Sequence, residues 1–242
     1  MRGKEISIDL EETKAQIIYH QFQGMEVKTF LAFFTRERGC LSTREGFKNI
    51  KVVANHYSPP ALWEFVHQNC DAHMNKIFSD LNLSPAKTAM LLTGADMDNF
   101  ALKKEEYQEF KVFALVTAGT RSNAQRIGVD RAESLEREGR FETLGTINVI
   151  VLTNASLSEG AMARGLITLT EAKIIALEDL DIRSSYNPDI RATGTGTDNA
   201  IMVSGEGPRI HYLGGHSKMG ELMAKAVTSA VKEAIFKQNG IK

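Results

Sequence analysis

The chain has 242 residues, 43% of them hydrophobic and 24% charged, with 29 lysines and arginines against 30 aspartates and glutamates. That size and mixture suit one large globular domain, or two small ones, and exclude a disordered chain. The two signs of charge are interspersed, so no basic face offers itself to nucleic acid, and no window approaches the roughly 18 to 20 apolar residues of a membrane span.

Met1-Arg-Gly-Lys-Glu leads into no signal-peptide core. The two cysteines, Cys40 and Cys70, form neither a disulfide framework nor a metal-site spacing. Free thiols in a reducing cytoplasm are the expectation.

In chain order, Ala15 to Phe22 and Glu26 to Phe34 flank Gln23-Gly24 and predict a hairpin. Ile50 to Asn55 is a further strand, ending at His56-Tyr57. Ser58-Pro59-Pro60 places a hydroxyl N-cap ahead of a first-turn proline. Leu62, Phe65, Val66, Cys70, His73, Ile77 and Leu81 then line one face, predicting a helix from Ser58 to Leu81. Ala89 to Leu92, Phe110 to Val116 and Ile147 to Leu152 are nearly continuous apolar runs, the mark of strands covered on both faces. Lys103-Lys104-Glu105-Glu106 reads as a solvated helix end.

Ser156-Leu-Ser-Glu159 has the spacing of a capping box and predicts a second long helix to about Leu180. Ala200 to Ser204 and Arg209 to Leu213, joined by Gly205-Glu-Gly-Pro208, predict a hairpin that carries Asp198 opposite Gly215. A third helix runs from about Ser217 to Lys237, and Gly240 stops it. The expected fold class is α+β: a single domain over 1–242, with a layered mixed or antiparallel sheet and three long helices packed on it. Residues 1–57 form its β-rich N-terminal part and 110–242 the part that bears the motifs. Thr93-Gly-Ala-Asp96 echoes Thr195-Gly-Thr-Asp198, but one follows a strand and the other precedes one, so no duplication is inferred.

The chain has no G-x-S-x-G elbow, H-E-x-x-H, Walker loop or C-x-x-C. Gly194-Thr-Gly196 lacks the third glycine of a dinucleotide fingerprint. The informative stretch is Ala192-Thr-Gly-Thr-Gly-Thr-Asp198, small polar residues suited to backbone contact with a ligand. Through the predicted hairpin, Asp198 and the loop would meet His216 at a helix N-terminus, giving a carboxylate, an imidazole, hydroxyls and backbone donors at one point. The plain alternatives are a capped turn at Asp198 and a residue ahead of an N-cap at His216. Glu171, among Ile167, Ile174 and Ile175, and Lys173, among Leu169, Ala176 and Leu177, are charges in apolar columns and need partners or a shifted pKa. Asn123, Asn148 and Asn154 lie at or inside strand ends, whereas His67, His73 and His211 read as structural or surface residues.

Gly145-Thr-Ile-Asn148, Thr170-Glu-Ala-Lys173, Ala192 to Asp198 and His216-Ser-Lys-Met-Gly-Glu-Leu222, with Thr117-Ala-Gly119 and Ser122-Asn-Ala124, resemble the adenosylcobinamide amidohydrolase family. The N-terminal part fits less well: Thr43-Arg44-Glu45-Gly46 stands where an Asn-Gly-Gly-like turn is expected, and Asn55-His56 matches a family asparagine. The resemblance implies hydrolysis of the amide joining the aminopropanol arm to the corrin ring of adenosylcobinamide, giving adenosylcobyric acid in corrinoid salvage and remodelling. The corrinoid is then substrate, with no separate cofactor and no resident metal. No nucleic-acid or membrane partner is implied, and a homo-oligomer stays open.

The roles assigned on this reading are our own. His216 activates water or the hydroxyl of Thr195 or Thr197, Asp198 orients the imidazole, and Glu171 protonates the leaving amine or holds a cation. Asn123, Asn148 or Asn154 receives the carbonyl oxygen, and Lys218 and Glu221 join the substrate contacts. A metal-assisted variant would use His216, Asp198 and Glu221. The competing class is a corrinoid or nucleotide carrier that uses the threonine–glycine loop and a helix N-terminus without chemistry.

Overall fold

The computed structural model describes residues 1–132 and 146–242; Gly145 of the first motif lies outside them. Strand β1 (Arg2–Ile6) pairs with β2 (Thr13–Phe22), which turns through Gln23 and Gly24 into β3 (Met25–Ser42). Both turn residues have left-handed φ values, 49° and 77°, and this two-residue geometry matches the twist of the flanking strands. β3 outruns the expected end at Phe34 by eight residues. Its ladder with β4 (Gly46–Tyr57) shifts register between Phe33 and Arg38, and there the hairpin changes layer.

The first half of β3 pairs with β2 and with the end of β4, beside which β5 (Thr88–Thr93) runs parallel. The last residues of β3 pair with β10 (Asn199–Val203). β10 continues into β8 (Asn148–Thr153), β7 (Phe110–Thr117) and β6 (Ala101–Tyr107). One nine-stranded sheet is thereby folded into two layers. Phe30, Ala32, Val53 and Leu91 of one layer meet Phe113, Leu115, Ile150 and Ile201 of the other.

Helices close the outside of each layer. α1 (Trp63–Gln68) and α2 (Cys70–Asp80) cover Leu31, Ala54 and Met90, and α3 (Glu159–Asp179) and α4 (Lys218–Asn239) cover Val149, Val151 and Met202. The order is helix, sheet, sheet, helix, so the fold is the α+β class expected, and strands such as β7 and β8 read as unbroken apolar runs because both faces are covered. None of the helices among the described residues is long and apolar enough to cross a membrane.

Four local expectations fail for identifiable reasons. The helix expected over 58–81 breaks at Asn69 (φ −136°, ψ 38°), whose side-chain amide donates back to the Phe65 carbonyl at 3.1 Å. Ser58 is not its cap, because its hydroxyl faces His73 Nε2 at 3.2 Å. Lys103 to Glu106 lie on β6, an edge strand, where charge resists pairing with a foreign edge. Ser156 and Leu157 form β9, parallel to β11 (Arg209–Ile210), so the cap of α3 is Ser158, which accepts from Ala161 N at 3.1 Å.

The fourth failure matters most. The hairpin over 200–213 does not form, because β10 has β3 on one edge and β8 on the other and no edge remains for a returning strand.

The ends of α4 match expectation: Ser217 accepts from Gly220 N at 3.0 Å, and Gly240 closes the helix at φ 74°. Ser217→Ala should therefore lower stability by about 1 kcal/mol. A urea midpoint that falls at unchanged m-value checks this.

Candidate active site

β8 and β10 run parallel and begin side by side, Asn148 beside Asn199. Side chains alternate along each strand, so the residues that enter β10 face opposite ways. Ala200 and Met202 face α3, and Asp198 meets Lys173 of that helix; Ile201 and Val203 face the other layer.

Under α3, Lys173 is buried and forms an ion pair with Asp198. The carboxylate also accepts the Thr195 hydroxyl at 2.5 Å and the Thr195 amide at 3.2 Å. The glycines of the loop now have separate reasons. A β-carbon at Gly194 would collide with the Asp198 carboxylate and lie 2.8 Å from Lys173 Nζ, while Gly196 holds φ 73°. Gln125 fastens the loop from outside, its backbone N–H donating to the Gly194 carbonyl at 2.7 Å. A cavity of about 80 Å³ over the ion pair is lined by Thr43, Thr170 and Asn199 among others. Gly194→Ala should force the pair apart and destabilise the protein by about 1–3 kcal/mol, read as a lowered denaturation midpoint.

Thr197 Oγ1 lies 3.4 Å from Thr195 Oγ1 and 3.5 Å from Thr146 Oγ1, which accepts the Asn123 amide at 2.6 Å. Beneath them a polar chain crosses between the layers. Asn148 donates to Asn55 Oδ1 at 2.9 Å and to the Leu92 carbonyl at 2.8 Å; Asn55 donates to Thr117 at 2.9 Å; and Thr117 donates to Thr93 at 3.3 Å. All four are at most 1% exposed, and Asn148 Oδ1 has no partner. Asn123, Asn148, Thr195, Thr197, Asp198 and Lys173 therefore gather at one end of the sheet.

The other expected residues do not join them. α3 and α4 run in parallel: Thr228 donates to the Ala172 carbonyl at 3.1 Å and Lys232 pairs with Asp179. Lys173 is thus level with Thr228, ten residues from Lys218, about 15 Å along the axis at 1.5 Å per residue. His216 is exposed just ahead of Lys218, so the Asp198–His216 pair is not formed, and neither is a ligand set of His216, Asp198 and Glu221. Lys218 and Lys225 grip Glu221 and hold its carboxyl down at about 2. Asn154 is spent on backbone, accepting from Lys111 N at 2.8 Å and donating to the Glu109 carbonyl at 2.6 Å. Glu171 is exposed, since its column faces solvent: Ile167 and Ile175 beside it are 50% and 48% exposed.

The model of the adenosylcobinamide amidohydrolase family matches residues 11–242. The chain belongs to that family. Its relatives include an uncharacterized protein of Methanocaldococcus jannaschii, 44% identical over 250 residues, covering 97% of this chain and 98% of the relative. An adenosylcobinamide amidohydrolase of Methanosarcina mazei is 29% identical, over 76% of this chain and 80% of its own. The crystal structure of a Pyrococcus horikoshii OT3 protein aligns at TM-score 0.45 and 12% identity, covering 95% of this chain and 84% of that one. The amidohydrolase family match extends through the N-terminal half, where the motifs were less legible, and that half supplies Asn55 and Thr93 to the buried chain.

Sequence reading missed a second buried network, under α1 and α2. His20 Nε2 lies 3.0 Å from Thr29 Oγ1, which lies 2.8 Å from His56 Nδ1, and the His56 and His73 rings are 5.2 Å apart. Burial pulls all three imidazoles below their ordinary value, His56 well below and His73 to about 4. The one available signal was His73 on the apolar stripe of the predicted helix.

Proposed function

We propose that this protein hydrolyses the amide joining the aminopropanol arm to the corrin ring of adenosylcobinamide, with water supplying the hydroxyl of adenosylcobyric acid and the hydrogen of the released amine. The observation that carries this is the chain Thr195–Asp198–Lys173, built from the residues of the family-like motifs and set beside a row of hydroxyl and amide donors. Asp198 takes the proton of the attacking group, either water or the Thr195 hydroxyl already 2.5 Å away. Lys173 balances the carboxylate before attack and stabilises charge as the proton moves. Thr197, Thr146 and Asn123 offer donors to the carbonyl oxygen as it becomes negative. Asn148, fully buried, is spent on Asn55 and the Leu92 carbonyl and does not touch substrate.

The reaction needs water and the corrinoid, whose cobalt is part of the substrate, and calls for no separate cofactor. It suits a cytoplasmic enzyme of corrinoid salvage. Incubation with adenosylcobinamide followed by mass measurement tests it. Release of aminopropanol with formation of the ring carboxylic acid is expected; tight binding of an unchanged corrinoid would instead mark a carrier.

A further inference from the structure

At the far end of the two-layered sheet from the threonine–glycine loop, the irregularity in β3 opens a cavity of about 470 Å³. The link between β1 and β2, the start of β7 and the turn at Glu206 and Gly207 surround it. Arg38 forms its floor and is 7% exposed. The guanidinium stacks 4.8 Å from the Phe34 ring and donates from Nη2 to the Glu11 carbonyl at 2.9 Å, while Nε has no partner.

Among the described residues no carboxylate comes within ion-pair distance of Arg38, although Asp9, Glu11, Glu12 and Glu206 line the cavity. Asp9 is held by Lys104 and Lys111, and Glu12 and Glu206 by Arg36. Burial lowers the Arg38 pKa although Glu206 and Glu12 pull the other way. A buried cation without an anion is costly, and a guanidinium fork with free N–H groups matches the paired oxygens of a carboxylate or phosphate.

We propose that this cavity binds a compact oxyanion, a carboxylate or phosphate group carried by a small metabolite, seated on the guanidinium of Arg38. The volume exceeds what a bare ion fills and falls within the range of small-molecule sites. The site is separate from the Thr195–Asp198–Lys173 chain, so it stands or falls independently of the hydrolytic reading.

The test is a titration of the full chain with inorganic phosphate and, separately, acetate, at ionic strength fixed with chloride, followed by backbone amide resonances and thermal midpoint. Saturable shifts at Glu11, Arg38 and Gly207, with none at residues 194–198, are expected. Saturation by phosphate alone, or by acetate alone, identifies the oxyanion. Arg38→Met should weaken binding by at least about tenfold, the scale of a charge-assisted hydrogen bond. Arg38→Lys keeps the charge without the fork, guards against a folding defect, and should bind at intermediate strength. Absence of saturation in the wild type, shifts confined to residues 194–198, or equal binding by Arg38→Met would overturn the proposal.

Discussion

Lys173→Met should lower the free energy of unfolding by about 3–5 kcal/mol, the scale for removing one partner of a buried ion pair. The Lys173 and Asp198 side chains are only 11% and 18% exposed, so water compensates only in part for the missing ammonium. Asp198 would be left against the Thr195 hydroxyl and amide, with Gly194 packed too closely for rearrangement. Neutralising the survivor should undo part of the damage. The double variant Lys173→Met/Asp198→Asn, which keeps an acceptor for Thr195, should be more stable than Lys173→Met alone. Urea unfolding of the four proteins in the cycle measures the coupling. A loss below about 1 kcal/mol, as for a surface pair, would show that the pair is solvated and its chemistry ordinary.

The second large effect is a loss of stability in mild acid. His20, His56 and His73 are buried, and their native pKa values lie below the ordinary 6.5. The native state therefore keeps them neutral, while the unfolded chain binds protons once the pH falls below about 6.5. Their burial is fully tolerated above that pH. Stability then falls as the pH drops toward about 4, the native value for His73. Each histidine contributes a slope of about 1.4 kcal/mol per pH unit, and three titrating together give up to about 4. Carboxylates held by lysines, such as Glu221 at about 2, begin to lose their contribution as the pH falls through their ordinary value of 4.5, so the range between about 6.5 and 5 reports the histidines. Denaturation at a series of pH values reads the slope. His56→Leu should reduce it by about 1.4 kcal/mol per pH unit, and an unchanged slope would mean that the cluster does not govern acid sensitivity.

Features fixed by neighbours in sequence were legible from it. Gln23-Gly24 specified a two-residue turn, Ser217 and Gly240 bounded α4, and the apolar runs at 110–116 and 147–152 announced strands covered on both faces. Features fixed by distant partners were not. Gly205 to Pro208 has the composition of a hairpin turn, yet β10 pairs with Cys40–Ser42 and with Asn148–Leu152, and those contacts override the local signal. Glu171 and Lys173 looked equivalent because both sit in apolar columns of one helix. Only packing reveals that the Lys173 column faces β10 and the Glu171 column faces solvent. Asp198 pairs with Lys173, not with His216. Asn55 closes an apolar run, as Asn148 opens one, and a buried amide at each of two strand ends was the sequence signal for the cross-layer chain.

The most direct measurement compares turnover of adenosylcobinamide by Asp198→Asn and by His216→Ala. If the reaction is carried out beneath the threonine–glycine loop, the asparagine variant loses about 10²–10⁴-fold, the usual contribution of a positioned proton acceptor, while the alanine variant stays near wild type. Loss of turnover in His216→Ala with activity retained in Asp198→Asn would place the chemistry at the N-terminus of α4 and contradict the account.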